Sequence, residues 1–266
     1  MTFVDTHCHL DDPKLKNDLD AVVNGFRAAG VGIAINIGCE LVSSRLVAAQ
    51  AEKYDGVYFA AGFHPQDVAD ATDQGLAEIA VLAARDKCVA IGEIGLDYYW
   101  DRSLKEKQAE YFIKQIELAR FCKLPINVHV RDATGDALKI LKDNKNKLTY
   151  GGVMHCFSGS LETAKELVKI GMHLAFGGTL TFKNARSIPE VAAWLPLDRL
   201  LTETDSPYLA PEPLRGTVNT PKNIPVIVEK LAQVRGAETE EIKETVYKNV
   251  LNLFPKIKPQ QTEKGN

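Results

Sequence analysis

The stretch TFVDTHCHLDDPKLKNDLDAVVNGFRAAGVGIAINI, residues 2–37, decides the fold. It opens on a short apolar run rich in β-branched residues (2–6), passes into a segment with helical spacing (15–29), and returns to a second apolar run (32–37). A strand, a helix and a second strand in this order form a βαβ unit, whose two strands lie parallel. The alternation continues along the chain. Further strands are predicted over 57–61, 88–91, 125–130, 152–155, 173–176 and 200–203. Helices are predicted over 43–53, 74–84, 104–122, 133–143, 160–170 and 185–194, with two more over 224–235 and 238–253. Eight strands, each followed by a helix, in about 250 residues specify an α/β fold of the (β/α)8 TIM-barrel class. A doubly wound open sheet is the competing arrangement. The strand count argues against it, and no G-x-G-x-x-G follows the first strand. Residues 1–254 read as one barrel domain. The remainder, PKIKPQQTEKGN (255–266), reads as a polar tail that frays.

The composition agrees. At 266 residues, 45% hydrophobic and 25% charged, the chain buries a large core without disulfide or metal staples. Collagen, coiled coil and disorder are excluded. No apolar run reaches the roughly 18 residues of a membrane span, and MTFVDTHCHL lacks the basic and apolar blocks of a secretory signal. Five cysteines, odd in number and without a C-x-x-C pair, suit a reducing cytoplasm. Each reads as a small buried hydrophobe. A net charge of −3 excludes a basic sheath for long duplex DNA, while leaving room for local phosphate binding.

The chemistry-bearing residues gather at strand ends. Five of the six histidines fall at or just beyond the C-terminal end of a predicted strand, as do Glu93 and Asp205. In a (β/α)8 barrel that end carries the active site. In His7-Cys8-His9 the two-residue side-chain period turns both imidazoles to one side and Cys8 to the other, so the pair can share an ion. Glu93, between Gly92 and Gly95 in GEIGLDYY, offers two oxygens and can bridge two ions, with Asp97 as a supporting carboxylate. His129 and His155 are the sole histidines of their strands and can hold a second ion. Asp205 in LLTETDSPYL can ligate and accept a proton. Glu203 shares its parity and is expected to point inward, as a supporting carboxylate behind the ligands, a buried partner for a cation, or a substrate contact. His64, Arg131 and Arg215 are expected to contact substrate, the arginine fork matching phosphate or carboxylate. Imidazoles mixed with carboxylates suit first-row divalent ions. His173 begins a strand at its far end and receives no role. No G-x-S-x-G elbow and no phosphate-cradling P-loop occur, and by strand parity Cys8 and Cys156 face away.

Taken in order, DTHCHL, GFHP, GEIGLDYY, VHVRDA, HCFSG and LLTETDSPYL resemble the TatD family of metal-dependent hydrolases across about residues 3 to 254. The resemblance implies an amidohydrolase-related barrel holding two divalent ions (Zn, Mn, Mg, Ni or Co). It assigns His7, His9 and Asp205 to one ion, His129 and His155 to the other, and Glu93 to both, with His64 facing the scissile phosphate. It implies a deoxyribonuclease, a 3′–5′ exonuclease on single-stranded DNA ends, acting as a monomer or weak oligomer without a membrane. Val130, where a small polar residue is common, and Ser206, where alanine is frequent, depart from the pattern without removing a ligand. The same chemistry also serves amide or ester hydrolysis, as in a D-aminoacyl-tRNA deacylase.

Overall fold

A computed structural model of the chain describes residues 1–259. Eight strands run β1 (Phe3–Cys8), β2 (Val31–Ile37), β3 (Val57–Ala61), β4 (Cys88–Asp97), β5 (Ile126–Arg131), β6 (Gly152–Met154), β7 (Met172–Phe176) and β8 (Leu200–Thr202). Each pairs in parallel with the next, in the order β1 to β8. Helices α1 (Pro13–Lys16), α2 (Leu19–Ala28), α3 (Leu41–Lys53), α4 (Asp73–Ala83) and α5 (Lys105–Cys122) follow the early strands. Helices α6 (Thr134–Asp143), α7 (Leu161–Lys169), α8 (Ser187–Trp194), α9 (Ile224–Arg235) and α10 (Thr239–Leu253) follow the later ones. The result is the expected TIM barrel, nearly closed. Phe26, Ile79, Phe112, Val191 and Val246 are fully buried residues of the covering helices. Each such side chain contributes about 1.5–3 kcal/mol relative to exposure.

The barrel closes at the β1–β8 seam with few ladder bonds. Thr6 Oγ1 donates to Thr202 O (3.0 Å) and Thr202 Oγ1 to Val4 O (2.8 Å), so two hydroxyls replace backbone donors. Beyond them Asp205 N donates to His7 O (2.9 Å) and His9 N to Ser206 O (2.7 Å). Buried Asp5 accepts from His7 N and from both Thr204 N and Thr204 Oγ1. Burial, opposed by those hydrogen bonds, pushes its carboxyl up to about 7.

Three details differ from the sequence expectations. The first helix is broken: Asp12 caps a short α1 through Lys14 N with Pro13 in its first turn, and the chain restarts at Leu19 after Asn17-Asp18. β4 runs past residue 91 to Asp97, buried along its length. Its glycines let it lie against β5. A Cβ on Gly95, whose φ is +145°, would stand 1.9 Å from His129 O. Finally, the start of the 255–266 tail is not frayed. Ile257 is buried, and Lys256 Nζ donates to Ala83 O and Arg85 O beyond the end of α4. The rest of the tail from residue 260 lies outside the described residues.

Candidate metal centre

The strands deliver their polar side chains to one mouth of the barrel, around a cleft of about 710 Å³ lined by His9, His64, Glu93, His129, His155 and Asp205 among others. Glu93 lies at its floor, not past a strand end but inside β4, where the β4–β5 register shifts between Ile91 and Ile94. Its two oxygens face different histidines. Oε2 is 3.3 Å from His7 Nε2 and 3.8 Å from His9 Nε2. Oε1 is 2.8 Å from His129 Nδ1 and 2.9 Å from His155 Nε2. Asp205 Oδ1 joins the first group, 3.5 Å from His9 Nε2 and 3.8 Å from His7 Nε2.

The outer nitrogens of these rings show what the inner ones offer. His7 Nδ1 faces Asn127 Oδ1 and His9 Nδ1 faces Ile37 O, each at 3.2 Å. An acceptor at each Nδ1 requires an N–H there, so in the neutral rings both Nε2 lone pairs point inward, 3.2 Å apart. In the second group His129 Nε2 faces Asp97 Oδ2 (3.2 Å) and His155 Nδ1 faces Glu203 Oε1 (3.5 Å). His129 Nδ1 and His155 Nε2 then converge at 3.2 Å. Two pairs of converging lone pairs, divided by one carboxylate, are a donor set that fits divalent cations, and the outer partners are those that orient metal-bound histidine.

The electrostatics agree. Burial opposes charge on His155, yet Glu93 and Glu203 hold its pKa well above the ordinary value. Burial likewise works against an ionised Glu93, and His155 and His7 outweigh it, so the carboxyl is held well below its usual range. The cluster therefore retains protons where cations would sit, and metal binding must release them. For Asp205, burial is again outweighed by His9, His155 and His7, and the carboxylate stays ionised.

The other residues singled out in the sequence have distinct places. His64 Nδ1 accepts from Gln66 N (3.2 Å), which leaves an N–H on Nε2, 3.8 Å from Glu93 Oε1. Burial depresses its pKa to about 3, so the ring is neutral and offers that N–H as a donor. Arg131 lines the cleft. Of the places open to Glu203 it takes the supporting one and does not meet substrate: it is fully buried, accepts from Cys156 N (2.6 Å) and stands behind His155. Arg215 lies exposed with its guanidinium 4.4 Å over Phe182 and outside the cleft lining. Its neighbour Asn219 is buried and holds the Asp205 loop through Thr204 O (2.9 Å) and Tyr208 O (2.7 Å). That loop keeps Asp205 at φ +54°.

Asn127 and Cys39 were not read from the sequence. Asn127 carries no charge and sits in an apolar run, so no signal marked it. Cys39 Sγ lies 3.9 Å from His9 Nδ1 on the cleft wall, and burial raises its thiol to about 11. Cys8, as expected, faces away and donates to Ile35 O.

Comparison with known proteins matches residues 4–255 to the family described as TatD related DNase. The metal-dependent hydrolase YabD of Bacillus subtilis, itself uncharacterized, is 43% identical over 250 residues, covering 94% of this chain and 98% of that one. The equally uncharacterized metal-dependent hydrolase YcfH of Escherichia coli is 38% identical over 257 residues, covering 96% of each. The crystal structure of YjjV, a TatD homolog from Escherichia coli, superposes with a TM-score of 0.90 at 34% identity, over 95% of this chain and 98% of that one. Likeness of this extent, in sequence and in backbone alike, leads to one assignment: the chain belongs to the TatD family of metal-dependent hydrolases.

Proposed function

We propose that the chain is a deoxyribonuclease that removes nucleotides from the 3′ ends of single-stranded DNA in the cytoplasm, using two divalent ions. The observation that carries this reading is the division of Glu93, one oxygen towards His7 and His9 and the other towards His129 and His155. A carboxylate so placed would hold both ions. His7, His9 and Asp205 would complete one set of ligands, His129 and His155 the other. Such a pair supplies Lewis acidity on both sides of a phosphodiester and makes a nearby water acidic. Zinc, manganese, cobalt and nickel suit the imidazole–carboxylate mixture better than magnesium.

The protein's own groups supply the rest. Asp205 is ionised and reaches the cleft, so it accepts the proton of the attacking water. His64 offers its Nε2–H, and Arg131 its planar fork, to the non-bridging phosphate oxygens. The five free cysteines suit a reducing cytoplasm. Among the described residues no helix is long and apolar enough to cross a membrane.

The test takes metal-stripped protein, single-stranded oligonucleotides labelled at the 3′ or 5′ end, and each divalent ion in turn, beside Glu93→Ala. Ion-dependent stepwise shortening from the 3′ end, absent in the variant, is expected. Failure with every ion refutes the nuclease reading. Release of the amino acid from D-aminoacyl-tRNA in the same preparation would then assign an acyl substrate.

A further inference from the structure

The loop after β4 places two large aromatic side chains at the cleft where burial does not explain them. Tyr99 is 51% exposed and Trp100 69% exposed. Their rings meet edge to face at 4.7 Å. The guanidinium of Arg131, from the end of β5, lies 3.6 Å from the centre of the Tyr99 ring and 5.6 Å from that of Trp100. Trp100 and Arg131 both line the cleft that holds Glu93 and His129. β4 and β8 stand four strands apart in an eight-stranded barrel, so Tyr208, which follows β8, flanks the same mouth from the opposite side. Tyr208 is 47% exposed, and its hydroxyl donates to Asp12 Oδ2 at 2.9 Å.

We propose that Trp100, braced by Tyr99 and Arg131, is a stacking platform for an unpaired nucleobase next to the scissile phosphate. The proposal rests on the nuclease reading and deepens it. Two observations favour stacking over a charge-based grip. The chain carries a net charge of −3, so its overall charge does not draw in a nucleic-acid strand. What the mouth does offer is flat aromatic surface beside one arginine, the pairing that binds single strands with little regard to sequence. Stacking also selects the substrate, because a paired base has both faces covered by its neighbours and a base at a frayed or single-stranded end does not.

The experiment uses the metal-loaded protein and a single-stranded oligonucleotide, either complete or with one nucleotide made abasic near the 3′ end. In Trp100→Ala the KM for the complete oligonucleotide is expected to rise about 5- to 150-fold, the value of one stacked base. The abasic substrate should show a similar rise with the unmodified protein and little further loss with the variant, because the two changes remove one contact. Trp100→Phe should restore most of the loss. Binding is read independently of cleavage with a phosphorothioate oligonucleotide. The chain has two tryptophans, and quenching of fluorescence should vanish in Trp100→Phe, which leaves Trp194 alone. An unchanged KM in Trp100→Ala, additive losses in the cycle, or quenching that survives in Trp100→Phe each overturn the proposal. If the oligonucleotide is cleaved normally and Trp100→Ala is silent, stacking fails and the nuclease reading stands. If nothing is cleaved, the nuclease reading fails, and the fluorescence titration still decides whether a base docks on Trp100.

Discussion

Glu203 makes no direct approach to the cleft, yet its replacement should change how the protein binds metal. Its carboxylate does two things. Oε1 accepts the Cys156 amide at 2.6 Å, and it stands 3.5 Å behind His155 Nδ1. Glu203→Ala abolishes both. The Cys156 amide is left without its partner, at a cost of about 1–3 kcal/mol in folding. His155 loses the anion that fixes its ring and makes Nε2 basic, and partners of this kind are worth about 10–100-fold in metal affinity. Glu203→Gln separates the two effects. Its amide oxygen still accepts from Cys156 N, so stability should fall by less than about 1 kcal/mol, while the lost charge should still weaken metal binding about tenfold. The assay is a pair of measurements on each variant: metal titration against a competing chelator, and urea unfolding of the metal-free protein. If Glu203→Gln binds metal as tightly as the parent, Glu203 serves only the Cys156 amide and the argument for His155 is wrong.

Three further outcomes are expected. Chelation should lower the thermal midpoint by about 5–10 °C, since a site at a hundredfold ligand excess contributes about 2.7 kcal/mol and each kcal/mol moves a protein of this size by about 2–4 °C; calorimetry with and without chelator would show no shift if the donor set held no ion. His173, in β7, has its pKa lowered by burial from 6.5 to about 4, so the unfolded chain binds the proton more tightly and stability is complete above pH 6.5. That stability should decline by about 3 kcal/mol as pH falls through this window, and His173→Gln should flatten that decline in urea titrations between pH 7 and pH 4. Gly95→Ala should destabilise by more than about 3 kcal/mol, combining the collision with His129 O and the unfavourable φ, and should weaken metal binding by displacing β5; normal binding in a folded variant would contradict the close approach.

Much of the centre was legible because its residues are chemically conspicuous and placed by a regular period. His7 and His9 follow from a two-residue alternation, and His129, His155 and Asp205 from the rule that barrel strands deliver their last side chains to one mouth. The misreadings have physical causes. The apolar run of 88–91 stops at Gly92, so periodicity gives no sign that β4 continues to Asp97, although Gly92 and Gly95 do permit a close backbone approach and lie pressed against β5. Glu203 has the parity of an inward residue, but parity does not say whether the inside is cleft or core. The 255–258 segment is polar in composition, yet one isoleucine and one lysine suffice to tie it down. Trp100 left no trace because an exposed aromatic in a loop has no periodicity to detect.

On the ribosome the barrel is made in the order of its strands. Glu93, His129 and His155 have all emerged once the chain reaches His155, about fifty residues ahead of Asp205, a delay of about 3–10 seconds at about 5–20 residues per second. During that interval one group of donors can assemble, while His7 and His9 wait at the bare edge of β1 for Thr202 and Asp205 to close the seam. The newborn chain thus passes through a stage with half its ligands and an unpaired strand edge. That stage, more than the finished barrel, is exposed to capture of the wrong metal and to pairing with a second chain.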